Sequence, residues 1–220
     1  MTPDIPQSQS HTGYKRRWLL AAGLALLVAG SIWGWTSVIR NRVIPKQFGV
    51  VEQGHIYRSG QLSAALIKKV LAEHNIRVIV DLTTNDHNNP DKLAEEKAVA
   101  ELNIKVFRFP MSGNGTGDIN DYASAITAIA HAEKQNLPVL VHCTAGAYRT
   151  GGVIAAYQLL VQKIDPNIVE DEIEKYGCPI DDRPTLRSFL NDNIAELAIR
   201  LKQSGVIDEI PSPLPQLPRD

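Results

Sequence analysis

The hydrophobic residues of the chain form two kinds of pattern from about residue 45 onward. Short runs rich in β-branched residues predict buried strands at 48–52, 56–58, 78–80, 105–109 and 139–141. Apolar residues spaced three and four apart predict helices after Ser63, over 91–102, after Asp118, over 150–162, and after Asp165 and Arg183. Strands that alternate with helices favour an α/β domain over residues 45–203, with a central, mainly parallel sheet flanked by helices.

A different pattern precedes this domain. Residues 1–17 are polar and end in Lys15-Arg16-Arg17, and the 22 residues from 18 to 39 carry no charge. As a helix, this run would measure about 33 Å, which is enough to cross a hydrocarbon core. It is longer than the apolar part of a cleaved signal peptide and has no amphipathic face. The sequence therefore predicts an uncleaved, single-pass transmembrane anchor.

The orientation of this anchor is inferred only from the order of segments along the chain. Basic residues lie before the run and also after it, at Arg40, Arg42 and Lys46, so the positive-inside rule does not decide between the two sides. A short basic segment, an apolar run and then a whole domain is the typical layout of a signal anchor. We therefore expect the domain to be exported, to the periplasm or another extracytoplasmic side, with the cytoplasmic face as the alternative.

The C-terminal end has a composition of its own. Residues 206–220 contain four prolines, at 211, 213, 215 and 218. Proline-rich segments favour an extended conformation without internal hydrogen bonds. We therefore expect residues 206–220 to form an unpacked, Pro-rich tail.

Composition excludes several classes of function. The chain has 220 residues, which suits one domain with an appendage, and a net charge of −1, which gives no electrostatic reason to expect nucleic acid as a partner. Two cysteines are too few for a disulfide framework. Cysteine and histidine residues also lack the spacing of a zinc site.

The strongest chemical signal follows the predicted strand at 139–141. Cys143 and Arg149 are the ends of a Cys-x5-Arg loop, and a helix is predicted to begin near Thr150. A strand–loop–helix turn directs backbone N–H groups and the positive end of the helix at one point, which suits a phosphate. The same field lowers the pKa of a cysteine thiol, and the planar guanidinium of Arg149 matches two phosphate oxygens. These features predict phosphoryl transfer through a cysteine nucleophile.

The segment His142-Cys143-x5-Arg149-Thr150-Gly151 resembles the signature of the cysteine-based protein tyrosine phosphatases, and more narrowly of their dual-specificity branch. The resemblance extends over residues 45–203, but only residues 143–151 are diagnostic. It implies hydrolysis of phosphomonoesters through a phosphocysteine intermediate, with no metal or other cofactor. It also implies that the phosphate is bound by the backbone of Thr144, Ala145, Gly146, Ala147, Tyr148 and Arg149.

The resemblance assigns further roles. Thr150 is expected to donate a hydrogen bond to the sulfur, and His142 to order the loop and help to lower the pKa of Cys143. The family takes its general acid from the loop before the helix that precedes the catalytic strand, where Asp118 and Asp121 are the candidates. Either could instead favour the helix N-terminus. Asp118 is preferred, because it directly follows a glycine-rich, presumed mobile loop at 110–117.

A second, weaker resemblance lies near the start of the domain. The segment Tyr57-Arg58-Ser59-Gly60-Gln61 is similar to one that lies near the active site in many phosphatases of this branch. A strand end followed by a turn would explain it equally well.

The substrate class is less sharply defined. No segment resembles the long phosphotyrosine-recognition loop of tyrosine-specific members, which predicts a shallow cleft open to phosphoserine and phosphothreonine as well as phosphotyrosine. One alternative is an inositol-phosphate or phosphoinositide phosphatase, which the uncharged loop residues 144–148 weaken. The other is a catalytically weak phosphate-binding pseudophosphatase, which the intact cysteine, arginine and threonine weaken. Expected partners are a phosphorylated protein or small phosphomonoester and, through the N-terminal helix, a membrane.

Overall fold

The computed structural model describes residues 12–35, 40–84, 86, 88–178 and 184–218. The chain divides into two compact units, Met1–Asn41 and Arg42–Asp220. Helix α1 (Thr12–Gly34) lies in the first unit. The remaining elements are α2 (Arg40–Val43), β1 (Gly49–Glu52), β2 (Ile56–Gly60), α3 (Ile67–Glu73), β3 (Val78–Asp81), α4 (Pro90–Leu102), β4 (Lys105–Arg108), α5 (Ile119–Lys134), β5 (Val139–Cys143), α6 (Tyr148–Tyr157) with a π-helical continuation (Gln158–Gln162), α7 (Pro166–Lys175) and α8 (Pro184–Gln203).

The uncharged part of helix α1 is shorter than the 22-residue apolar run in the sequence. The helix ends at Gly34, so its uncharged part, residues 18–34, has 17 residues. Such a helix measures about 26 Å, less than the roughly 30 Å of a hydrocarbon core. Nowhere in the described parts of the chain is a helix both long and apolar enough to cross a bilayer. The predicted single-pass membrane localisation, with an exported domain, is therefore wrong; residues 36–39 of the predicted span lie outside the described residues.

The five strands form one mixed sheet in the order β1-β2-β5-β3-β4. Strands β2, β5, β3 and β4 are parallel to one another, and β1 pairs with β2 in the antiparallel direction. The predicted α/β fold with a mainly parallel sheet is thus confirmed. Strand β5 is central: its Cys143 is level with Gly60 of β2, and its His142 with Asp81 of β3.

Helices cover both faces of this sheet. Side chains alternate between the faces, so Val139, Val141 and Cys143 of β5 join the core under α5 to α8, while Leu140 joins the core under α3 and α4. Cys143 and His142 therefore point to opposite faces. The nucleophile lies on one side of the sheet and the histidine before it on the other.

Local sequence explains the starts of three helices, α4, α5 and α7. Asn89, Asp118 and Asp165 are N-caps whose side chains accept hydrogen bonds from backbone N–H groups, and proline follows Asn89 and Asp165 in the first turn. The helix predicted after Ser63 begins only at Ile67, and Ser63, which the sequence suggests as its N-cap, contributes only its carbonyl oxygen to the preceding turn.

The Pro-rich tail is not unpacked as expected. Leu217 is 1 % exposed, and its backbone N–H and C=O both bond to the side chain of Asn191 in α8. Ile207 is buried as well. The tail therefore completes the core beside α8. Leu217 can be buried there because the Asn191 side chain satisfies its backbone N–H and C=O groups.

The glycine-rich segment before α5 is a folded loop. Backbone bonds close it between Ser112 and Thr116 and between Gly115 and Ser112. The buried hydroxyl of Tyr122 donates to the Gly115 carbonyl oxygen. A Cβ atom on Gly115 would lie 3.0 Å from the carbonyl oxygen of Tyr148, so this loop packs directly against the Cys-x5-Arg loop.

Candidate active site

The Cys-x5-Arg loop, called the phosphate loop below, joins the end of β5 to the start of α6. Cys143 ends the strand, and α6 begins at Tyr148, so only four residues make the turn. The Gly146 N–H donates to Cys143 Sγ over 3.2 Å. The loop thus curls around the sulfur, with the N-terminus of α6 aimed at the same place, as an anion site requires.

Gly146 is required for this curl. Its φ is +80°, a left-handed conformation that glycine adopts without steric cost. A Cβ atom there would lie 2.5 Å from the Gly60 nitrogen of β2, closer than atoms can approach. Any side chain at residue 146 would push the loop away from the sheet.

Two carbonyl oxygens of the phosphate loop are held on its outer side. Thr144 O accepts the Gln61 N–H at 3.3 Å, and Gly146 O accepts Arg58 Nη2 at 3.0 Å. With carbonyl groups fixed outward, the loop can turn N–H groups inward. The 57–61 segment singled out in the sequence therefore does lie at the site, and it supports the loop from behind.

Arg58 is the centre of this support. Its side chain is 1 % exposed, Nη1 lies 3.3 Å from Glu172 Oε1 of α7, and its guanidinium lies 3.9 Å from the centre of the Tyr176 ring. Burial lowers the pKa of Arg58, and the Glu172 carboxylate opposes that shift. Sequence analysis did not assign a role to Arg58; the available signal was its place in the 57–61 resemblance.

Arg149 lies across the mouth of the loop, half-buried. Nη2 donates to Thr144 Oγ1 at 2.9 Å and Nη1 to the Leu82 carbonyl oxygen at 3.3 Å. Its Nε is buried and has no hydrogen-bond partner among the described residues. The guanidinium is therefore oriented by neutral oxygens and retains donor capacity for an oxyanion.

The environment of Cys143 favours the thiolate. Burial alone would raise the pKa of this thiol, but the Thr150 hydroxyl and N–H, the Gly146 N–H and the charge of Arg149 together bring the pKa below its usual value. The Thr150 hydroxyl is completely buried and has no hydrogen-bond partner among the described residues, so it is available to stabilise the thiolate of Cys143.

This environment predicts the pH dependence of alkylation. Because the thiolate is the reactive form, inactivation by iodoacetate should reach half of its maximal rate at a pH below the roughly 8.5 of an unperturbed cysteine. Thr150→Val removes the hydroxyl donor at similar volume and should move the midpoint upward. A wild-type midpoint at the unperturbed value, or no shift in the variant, would contradict the assignment.

His142 belongs to a buried ion cluster on the other face of the sheet, formed by Asp81, Lys92, Glu95 and His142. Lys92 Nζ donates to Asp81 and, over 3.0 Å, to Glu95 Oε1, and His142 Nε2 lies 3.1 Å from Glu95 Oε2. All four side chains are at most 3 % exposed. The cluster ties the ends of β3 and β5 to α4, and so fixes the residue before the nucleophile.

Each charge in this ion cluster stabilises another. Burial would raise the pKa values of Asp81 and Glu95, but the charge of His142 and the hydrogen bonds from Lys92 outweigh it, and both pKa values lie at about 2. Burial would lower the pKa of His142, but Glu95 and then Asp81 raise it. The two carboxylates thus favour the protonated form of His142 beneath the phosphate loop, and its ordering role stays a prediction.

Sequence analysis missed Asp81, Lys92 and Glu95. Asp81, Glu95 and His142 place one ligand atom each close enough together to hold a metal ion, and the Lys92 ammonium bridges the two carboxylates. Charged residues on a helix are usually solvated, so Lys92 and Glu95 gave no sign of burial. Asp81 at a strand end was the only local hint.

The two candidates for the general acid lie at the start of α5. Asp118 is exposed and caps the helix, accepting the Asn120 N–H at 2.8 Å. Asp121 lies one turn on, and partial burial, with the charge of Asp118, raises its pKa. The loop before Asp118 contacts the phosphate loop through Gly115 and Tyr148. The choice of Asp118 over Asp121 remains a prediction.

Part of the chain is similar in sequence to known phosphatases. The dual specificity protein phosphatase OPG106 of vaccinia virus is 30 % identical over 93 residues, 42 % of this chain and 48 % of that protein. The chain thus spans about half the length of the curated relatives it matches.

Solved structures share the fold. TpbA of P. aeruginosa, in a variant bound to pTyr, matches with a TM-score of 0.54 at 21 % identity, over 71 % of this chain and 96 % of that one. The core catalytic domain of the PP-IP phosphatase SIW14 from S. cerevisiae, in complex with citrate, matches with a TM-score of 0.60 at 20 % identity, over 74 % and 95 %.

The match to a protein family covers most of the domain. A family model described as "DSP-PTPase phosphatase fused to NAD+ Kinase" fits residues 31–187, which include every element from α2 to α7. The predicted resemblance to the dual-specificity branch is confirmed, and these matches support the prediction of a phosphatase. The chain belongs to this family of DSP-PTPase phosphatases.

Proposed function

We propose that the chain hydrolyses phosphomonoesters, with phosphotyrosine and also phosphoserine and phosphothreonine as substrates, through a phosphocysteine intermediate. The observation that carries the proposal is the convergence on one point of the Cys143 sulfur, the Gly146 N–H, the Thr150 hydroxyl and the Arg149 guanidinium. Dual-specificity relatives and the TpbA complex with pTyr support this substrate class.

In the first step, the Cys143 thiolate attacks phosphorus in line with the leaving oxygen. The S–P bond forms as the P–O bond to the alcohol breaks. Arg149 and the N–H groups of residues 144–149 hold the three non-bridging oxygens, where negative charge persists through the transition state. Asp118 in its protonated form gives its proton to the leaving oxygen, so the product departs as a neutral alcohol.

In the second step, water attacks the phosphocysteine. The S–P bond breaks, Asp118 as carboxylate takes a proton from the water, and inorganic phosphate leaves. The Cys143 thiolate is regenerated as the leaving group. The Thr150 hydroxyl, the Gly146 N–H and Arg149 stabilise that anion, so the same contacts that activate the nucleophile also assist its release.

The role of Asp118 as general acid should appear in how the turnover rate depends on the leaving group. Alkoxides are poor leaving groups, so with Asp118→Asn the turnover of an alkyl phosphate should fall by about 10²–10⁴ while an aryl phosphate with a good leaving group falls far less. The decline in rate from acidic to neutral pH should also flatten, because that decline reports deprotonation of the acid. Asp121→Asn is the matched control. If Asp121→Asn shows this pattern and Asp118→Asn does not, the assignment is wrong.

A second substrate class has a specific observation in its favour. The SIW14 structure with the same fold is described as a PP-IP phosphatase, which fits an inositol-phosphate activity. Initial rates on a phosphotyrosine peptide, phosphoserine and phosphothreonine peptides, and inositol phosphates rank the two classes. We expect turnover of the peptides; the absence of any turnover would contradict the proposed function.

A further inference from the structure

A lysine far away in the sequence reaches the rim of the phosphate loop. The Nζ of Lys46, which precedes β1, lies 3.3 Å from the Thr144 carbonyl oxygen, 98 residues away along the chain. The Lys46 carbonyl oxygen accepts the Gly60 N–H at 2.7 Å, which fixes the start of the side chain. Its stem then passes over Gly60, where a Cβ atom would lie 3.1 Å from Lys46 Cδ. The backbone thus directs this ammonium to the loop.

Lys46 and Arg149 flank the same residue from two sides. Arg149 donates to the Thr144 hydroxyl and Lys46 to the Thr144 carbonyl oxygen. Neither cation is in an ion pair with a carboxylate within the described part of the chain. The rim therefore carries positive charge that no described carboxylate neutralises.

The Lys46 contact can be exchanged for a ligand. The Thr144 carbonyl oxygen already accepts the Gln61 N–H, so it keeps a partner when the ammonium turns away. A single exposed hydrogen bond to a neutral oxygen contributes little, on the order of 1 kcal/mol. A phosphate group carries a charge of about −1.5 to −2 at neutral pH and offers three acceptor oxygens, so it is the stronger partner for an ammonium.

We propose that Lys46 forms a subsite for a second phosphate group, next to the one that is hydrolysed. The proposal rests on the phosphatase function proposed above and adds to its substrates compact molecules that carry two phosphates on neighbouring positions. The scissile phosphate occupies the phosphate loop and Arg149, and the neighbouring phosphate binds the Lys46 ammonium. Residues 144–148 include no Lys or His, and Lys46, from before β1, places its ammonium at the rim of the loop.

Binding measured by calorimetry tests this without reliance on turnover. The probes are inorganic phosphate, which fills only the loop, and myo-inositol hexakisphosphate, which presents neighbouring phosphates in any orientation. Lys46→Met should lower the preference for the hexakisphosphate over inorganic phosphate by on the order of tenfold. Lys46→Arg, which keeps the charge, should restore most of it.

Lys163→Met is the matched control for net charge. Lys163 follows the 15-residue helical stretch that starts at Tyr148, so it lies about 22 Å from the phosphate loop. Lys163→Met should therefore leave the preference for the hexakisphosphate over inorganic phosphate unchanged.

An equal loss for both probes in Lys46→Met would overturn the proposal, since Lys46 would then only position Thr144. So would a greater dependence on Lys46 for a phosphotyrosine peptide with acidic neighbours. An inactive protein that still shows the Lys46-dependent preference would refute the proposed hydrolysis but not the subsite.

Discussion

Cys143→Ser is expected to lower turnover of p-nitrophenyl phosphate by at least about four orders of magnitude while phosphate binding persists. A serine hydroxyl stays protonated at neutral pH, so the variant has no anionic nucleophile. The Gly146 N–H, which donates to the sulfur, can donate to the serine oxygen instead, and Arg149 is oriented by Thr144, so these groups and the α6 N-terminus continue to form the anion site.

Steady-state kinetics and equilibrium phosphate binding together test this prediction. Cys178→Ser is the matched control, because Cys178 is equally buried but lies after α7 and outside the phosphate loop. It should keep most of the turnover. Comparable turnover in Cys143→Ser would mean that another group attacks phosphorus.

Arg149→Lys is expected to lower kcat/KM by about 10²–10⁴. The guanidinium is oriented by the Leu82 carbonyl oxygen and the Thr144 hydroxyl. Its Nε has no hydrogen-bond partner among the described residues and can donate to an oxyanion. An ammonium is a point charge that cannot reproduce a planar, two-pronged contact with the equatorial oxygens. Since those oxygens keep their charge in the transition state, the loss should appear in kcat as well as in KM.

Arg108→Lys gives the comparison for this variant. Arg108 lies on the edge strand β4 and pairs with Asp81 at 2.8 Å, so the same change there should affect turnover only slightly. A rise in KM with unchanged kcat in Arg149→Lys would show that Arg149 binds the ground state and the transition state equally, contrary to the role given to it.

The sequence predicted the catalytic loop well because its chemistry is local. The nucleophile, the clamp and the hydroxyl lie within eight residues between a β-branched strand and a helix, and Gly146 occupies the position where only glycine fits. The strands and helices around it followed from periodicity for the same reason. The periodicity of a strand or helix involves only residues close in sequence, so the sequence shows it directly.

Long-range packing could not be predicted. Arg58 and Glu172 are 114 residues apart and Asn191 and Leu217 are 26 apart, and each pair meets only because of how the helices cover the sheet. From sequence alone, a charged residue is expected to be exposed to solvent and a proline-rich tail to be unpacked. Only the fold shows which of them has a buried partner. Hydrophobicity also predicted a membrane span over residues 18–39, whereas the uncharged part of α1 has 17 residues, 18–34.

Trapping of the intermediate tests the central claim most directly. The wild-type protein would be mixed with a phosphotyrosine peptide, quenched in acid within the first turnover, digested and examined by mass spectrometry. The account predicts a phosphate adduct on the peptide that contains Cys143, absent in Cys143→Ser and longer-lived in Asp118→Asn, because water then lacks its base. Turnover without any adduct on Cys143, or with the phosphate on another residue, would contradict it.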